Sequence, residues 1–322
     1  MTADFTDDGS AARLNPARLN PAQLDAVQLL REPRHERPLH RRELRDELRR
    51  LLHDDLVELA AWIERPIQLS KHHLASVHGC EERFMHERQT PFRASAAIVR
   101  GTVAHKAIEL SVHAPNASPG KLVDRALAHL TNSDSWAAQW LGDADELDRA
   151  EVRGLACDRV AKFVECFPPL SNGWRPITET RLSYDVHDGQ IRLTGRPDLI
   201  IGAPDGMRAG KIIIDLKTGN RSSTHIEDLR FYALIETLRL GVPPWKVASY
   251  YLDSGTFVVE TVSEGLLEAA ARRTVGGAIK LAELIQGERP PRRQAGPTCS
   301  WCPLLEQCED GQRARSAWEA YG

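Results

Sequence analysis

Lys211-Ile212-Ile213-Ile214-Asp215-Leu216-Lys217-Thr218-Gly219 decides the fold. Three successive isoleucines read as a strand buried on both faces. Asp215 and Lys217, two residues apart at its end, share one face. Downstream, 225–240 has a helical period and stops at Gly241 and two prolines. Val247 to Leu252 and Thr256 to Val262 follow as strands around an Asp253-Ser254-Gly255 turn, and a helix runs from Glu264 to about Ile285.

Upstream, Ile177 to Val186 and Ile191 to Ile201 alternate with period two on either side of Asp188-Gly189, a strong hairpin signal. Pro204-Asp205-Gly206 then turns the chain into the isoleucine strand. This reads as a three-stranded meander, with Asp198 in the later half of its second strand and so beside Asp215. Everything before it is helical. Leu44, Leu48, Leu51, Leu52, Leu56 and Leu59 recur at helical steps over 43–63, and Ser70 caps a short helix leading to Cys80. Another helix covers about 95–112, and the helical stretch ends at Pro168-Pro169. The order predicts an α/β fold with a central mixed β-sheet flanked by helices. No Gly-rich loop follows a strand, which disfavours a P-loop NTPase or a dinucleotide enzyme.

The chain has 322 residues, 42% of them apolar and 27% charged, as in soluble globular proteins. A net charge of −3 argues against a protein that passively coats nucleic acid. It leaves room for a local basic groove, for which Arg289, Arg292 and Arg293 are candidates. The arginines between Arg31 and Arg50 read instead as a solvated helix face. With no long apolar run and no export signal, a cytoplasmic location away from membranes is expected.

Hydrolysis of a phosphodiester needs a positioned water, neutralisation of charge on the transition state and a stabilised leaving oxygen. Divalent cations on hard oxygen ligands supply most of this, and a lysine can orient or help deprotonate the water. Asp198, Asp215 and Lys217 form such a set, and His105 and Glu109 share one helix face at i, i+4 spacing. Singly each is weak, since an Asp-x-Lys at a strand end is usually a solvated turn. Their order along helix, strand and strand makes the case.

The pattern Gly101-Thr102-Val103-Ala104-His105-Lys106-Ala107-Ile108-Glu109, then Gly195-Arg196-Pro197-Asp198, then Asp215-Leu216-Lys217-Thr218-Gly219 resembles the RecB-type branch of the PD-(D/E)XK nucleases. The resemblance covers roughly residues 69–310. It implies a metal-dependent DNA nuclease, an exonuclease or end-processing enzyme using Mg²⁺ or Mn²⁺. His105, Asp198, Asp215 and the backbone carbonyl of Leu216 would be metal ligands, Lys217 the catalytic lysine, and Glu109 a support. A Gln-x-x-x-Tyr signature of that family contacts the substrate strand. Here it reads Asp228-Leu229-Arg230-Phe231-Tyr232, which carries over Tyr232 and leaves Arg230 to take the place of the missing glutamine. The implied substrate is DNA with a free end or a single strand, and the implied partners are a helicase or a CRISPR or repair protein. The alternatives are a non-catalytic DNA-end-binding scaffold subunit and a zinc-stapled interaction protein.

Of six cysteines, three form Cys299-Ser300-Trp301-Cys302-Pro303-x-x-x-x-Cys308, and Cys80 is the candidate fourth ligand of a metal site. Cys157 and Cys166 sit in a helical pattern and read as core. The one-plus-three arrangement resembles the [4Fe–4S] staple of AddB-type and CRISPR-associated nucleases, with Glu81 where that family usually has proline. Spacing alone leaves Zn²⁺ open. The expected organisation is therefore a disordered arm (1–24), an N-terminal helical segment (25–68), a helical region with Cys80 and the motif helix (69–174), the nuclease core (175–288) and a cysteine clasp (289–322).

Overall fold

In a computed structural model the described residues are 18–30, 34–170, 172–219, 221, 222 and 224–321. The helical half comprises α1 (Pro21–Leu30), α2 (Leu44–Trp62), β1 (Ile67–Leu69), α3 (Lys71–Val77), α4 (Glu81–Gln89), α5 (Ala96–Ser111), α6 (Pro119–Thr131), α7 (Trp136–Asp143) and α8 (Glu146–Cys166). Then come β2 (Ile177–Thr178), β3 (Leu182–Val186), β4 (Ile191–Gly195), β5 (Leu199–Ile201), β6 (Ile212–Lys217), α9 (Thr224–Leu240), β7 (Lys246–Tyr251), β8 (Thr256–Thr261), α10 (Glu264–Gln286) and α11 (Glu309–Tyr321). This is the mixed α/β architecture expected of a PD-(D/E)XK core.

The chain divides into two units, one of residues 1–45, 94–182 and 196–267, the other of 46–93, 183–195 and 268–322. The first holds a five-stranded mixed sheet in the order β2-β5-β6-β7-β8. β6 runs antiparallel to β5, with Leu199 opposite Ile214, and parallel to β7, with Lys217 opposite Tyr251. A parallel neighbour requires a crossover, and α9 supplies it. Ile212, Ile214 and Leu216 share a core with Val99, Val103, Ala104, Ala107 and Ile108 of α5. Strand alternation turns Ile213, Asp215 and Lys217 to the other face. Ser95 starts α5 by accepting the Ile98 N–H as its N-cap.

The second unit holds the three-stranded sheet β1-β4-β3 together with α3, α4 and the C-terminal tail. Ser70 caps α3 as expected, and Leu74 and Val77 are its buried residues.

Two expectations are corrected. The meander does not exist as one sheet: each long strand breaks and its halves join different sheets. The first breaks at Glu179, whose φ of 51° lies outside the extended region. The second breaks at Arg196-Pro197-Asp198, where proline donates no N–H and constrains the residue before it. Asp198 therefore sits at a junction just before β5, not within a continuous strand. Ordered structure also begins earlier than the expected arm of 1–24 allows. Residues 1–17 lie outside the described residues, but Pro21–Leu30 is a helix capped by Asn20, which accepts the Gln23 N–H at 2.9 Å. Val27 and Leu30 lie in the α5 core, and that burial orders the segment. No described helix is long and apolar enough to cross a membrane.

Candidate active site

Asp198 is the organising residue. One carboxylate oxygen accepts the Leu216 backbone N–H at 2.6 Å, and the other lies 3.1 Å from His105 Nδ1. The junction thus delivers Asp198 to the β6 backbone, while α5 brings His105 in from the side. Tyr232 holds the junction itself: its hydroxyl donates to the Arg196 carbonyl at 3.2 Å, and the residue is only 2% exposed. The ring expected to contact the substrate strand is thus buried, with its hydroxyl bound to the backbone of the junction.

Asp215 is buried at the end of β6, and Lys217 Nζ donates to its carboxylate at 2.7 Å. Lys217 also donates to Asp228 at 3.1 Å. The acid that replaces glutamine in the expected signature is therefore bound to the lysine. Arg230 cannot stand in for the glutamine as a free cation. Its guanidinium donates twice to Glu260, at 2.8 and 2.5 Å, and once to Glu227, at 2.6 Å. Glu109 accepts two bonds from Lys106 Nζ, at 2.8 and 2.9 Å.

Glu179 is the residue that motif reading missed. Its ligand oxygen, with a ring nitrogen of His105 and a carboxylate oxygen of Asp198, forms a set whose atoms all lie within 4.8 Å of one another, a group able to hold a metal ion. Asp215 stands outside that set, turned to Lys217. Burial pushes the Glu179 carboxyl up to about 7, the Asp198 charge adds to this, and Arg196 opposes it from 3.0 Å. Burial alone would lower His105, but the Asp198 carboxylate outweighs it and the imidazole titrates above its ordinary value. Crowded acids with too little local positive charge are the electrostatic signature of a cation site. The signal for Glu179 was present in the sequence. Thr178 pairs with Leu199, so the register counted back from the Asp188-Gly189 turn sets Glu179 opposite Asp198. The Glu179 N–H donates to the Asp198 carbonyl at 3.1 Å.

In the other unit, Cys80, Cys299, Cys302 and Cys308 line one cavity of about 100 Å³. The Gly296 N–H donates to Cys299 Sγ at 3.4 Å and the Gly311 N–H to Cys308 Sγ at 3.3 Å. A Cβ on Gly311 would stand 3.5 Å from Cys308 Sγ and 3.6 Å from Cys299 Sγ, so the glycine keeps this wall thin. Burial pushes the Cys302 thiol up, against the Leu304 amide and Arg83, and Cys80 and Cys299 push the same way as burial. Glu81 anchors the wall from the α4 side. It is 3% exposed, accepts two bonds from Arg289 at 2.6 and 3.0 Å, and accepts the Arg292 N–H at 2.9 Å. Burial would raise this carboxyl, and those bonds hold it below the usual range. Arg293 donates to Glu82 at 2.5 and 2.9 Å. Arg289 and Arg293 are thus held by acids, which corrects their expected place in a free basic groove.

The sequence model of a family described as the PD-(D/E)XK nuclease superfamily matches residues 68–309. The chain belongs to that superfamily. No curated protein matches it in sequence. Among solved structures it is similar to SSO0001, at 16% identity and a TM-score of 0.35 over 80% of this chain and 94% of that one. It is also similar to a protein from Eubacterium rectale designated a candidate exonuclease, at 10% identity and a TM-score of 0.41 over 74% and 87%. Neither likeness is close enough to carry an argument, and the family rests on the sequence match.

Proposed function

We propose that this chain is a divalent-metal-dependent DNA nuclease of the RecB type, acting at strand ends, with a structural [4Fe–4S] cluster. The observation that carries the reading is the convergence of His105, Glu179 and Asp198 within 4.8 Å, beside the Asp215–Lys217 pair. Carboxylate oxygens suit Mg²⁺ and Mn²⁺, and an imidazole nitrogen among them favours the softer Mn²⁺. His105, Glu179 and Asp198 are the groups that would hold the cation, with Asp215 and the Leu216 carbonyl, which stand outside that set, as the further ligands the resemblance implies. When bound, such a cation lowers the pKa of a coordinated water and neutralises charge on the phosphate.

The chain's own residues position the substrate and the lysine. Lys217, gripped by Asp215 and Asp228, offers a fixed cationic donor for a phosphate oxygen or for the attacking water. Tyr232 and the Leu216 amide keep Asp198 from swinging away. Four well-placed groups of this kind favour an enzyme over a scaffold subunit.

The four cysteines share one cavity, and the preference for a cluster over a single zinc rests on the resemblance of their one-plus-three spacing. The role of the cluster would be to pin the tail.

The test is cleavage of end-labelled single- and double-stranded DNA by the protein as purified, with Mg²⁺ or Mn²⁺. The parent should release products from ends, and Asp215→Ala and Lys217→Ala should be inactive yet folded. Equal cutting by parent and both variants would sink the assignment. Iron and acid-labile sulfide analysis of the same sample tests the cluster, and one zinc in their place would refute it.

A further inference from the structure

We infer that Arg100 and Arg159 form a subsite for a backbone phosphate of the DNA strand, one loop removed from Lys217 at the carboxyl ends of β6 and β7. The inference rests on the nuclease reading above and adds a binding contact to it. Arg100 sits on α5, five residues before His105. Its Nε is buried and has no hydrogen-bond partner among the described residues. Arg159, only 9% exposed, grips Asp253 through Nε at 2.6 Å and Nη2 at 3.2 Å, and its Nη1 is likewise buried without a partner.

Both side chains act on Asp253 in the turn between β7 and β8. Asp253 also accepts the Gly219 N–H at 2.6 Å, which ties Arg159 to the backbone two residues beyond Lys217. Gly101, the neighbour of Arg100, lies so close to the loop after β6 that a Cβ would stand 3.2 Å from Thr218 Oγ1. The Arg100 charge reaches Asp253, where it helps hold the carboxyl below its usual range. Asp253 is consumed by Arg159 and the Gly219 amide, so a second guanidinium is left over.

Buried donors without acceptors are rare and costly, and each one asks for an explanation. Of the other arginines near β6 and β7, Arg230 is engaged by Glu260 and Glu227, and Arg221 donates to Thr256 and lies over the Tyr251 ring. What Arg100 and Arg159 lack is an anionic acceptor with several oxygens, and a phosphate diester matches the guanidinium fork. The location agrees, because ligands of open α/β sheets bind beyond the carboxyl ends of the strands. β6 and β7 are parallel and end together there, at Lys217 and Tyr251.

The experiment follows binding of a fluorescein-labelled single-stranded DNA to the full chain across a salt series, by anisotropy, alongside cleavage kinetics. For Arg100→Ala the slope of log affinity against log salt should fall by about one, with affinity down ~10-fold at low salt. KM for the oligonucleotide should rise while kcat holds. Hydrolysis of thymidine 5′-p-nitrophenyl phosphate, which carries a single phosphate, should not change. Arg100→Lys, which keeps the charge, should recover most of the salt slope, and both variants should melt with the parent. An unchanged affinity and slope in Arg100→Ala would overturn the subsite, as would an equal loss on the oligonucleotide and the small substrate. A parent that neither binds nor cleaves DNA would instead refute the nuclease reading itself.

Discussion

The two chemically loaded regions of this chain are built on opposite plans. The carboxylate site hangs on β-ladders: Asp198 is tied to the Leu216 amide, Asp215 ends a buried strand, and Lys217 is held on two sides. The cysteine cavity hangs on short 3₁₀ turns at Pro297–Trp301 and Leu305–Gln307, beside a Trp301 that is 65% exposed. Its fixed points are sulfurs and the Glu81 anchor. One region is shaped by the sheet itself, whereas the other has little core of its own and, on the reading proposed above, would depend on what its sulfurs bind.

That contrast can be broken most severely in the carboxylate site. Asp198→Ala should lower DNA cleavage ~10³-fold or more, because a ligand and the mooring of His105 go together. Circular dichroism should show the fold intact. Chelation or oxidation of the proposed cluster comes next. It should expose the 289–322 tail to proteolysis and abolish DNA binding, while fragments from residues 196–267 stay protected, as mass spectrometry of the digest would show. Uniform digestion of both regions would contradict the contrast.

Glu81→Ala sharpens the same point without touching a sulfur. Removing one partner from a buried ion pair costs about 3 kcal/mol, read as a lower denaturant midpoint for the cysteine-bearing unit. Asp228→Ala should slow cleavage only ~10-fold, since Asp215 still holds Lys217, with kcat falling and KM preserved. The smallest effect is one of pH. Burial would raise the Asp253 carboxyl, but Arg159 and the Gly219 amide depress it below 3.8. A depressed folded value stabilises the protein above the ordinary Asp range, and the contribution is lost as pH falls through the folded value. Urea midpoints should therefore drop in that acid window for the parent and less for Asp253→Asn.

Much of this was legible in the sequence. The isoleucines of 212–214, the Ser70 cap and the glycine stop after Leu240 each specified an element through local chemistry. The motif order fixed where His105, Asp198, Asp215 and Lys217 would meet. The splitting of two strands between sheets was marked only faintly, by Pro197 in the second strand and by the change of parity between Ile177 and Leu182 in the first, and neither mark says that the halves join different sheets. Arg289 and Arg293 misled for a related reason. A run of basic residues carries no sign of Glu81, Glu82 and Glu283, which lie elsewhere in the sequence and neutralise them.

Mn²⁺ binding measured by calorimetry on the parent, Glu179→Gln and His105→Ala tests the carboxylate site most directly. The parent should bind with measurable affinity, and each substitution should weaken binding ~10-fold or more, as expected when a ligand is removed. A parent that binds no Mn²⁺, or variants that bind it as the parent does, would contradict a cation site at His105, Glu179 and Asp198.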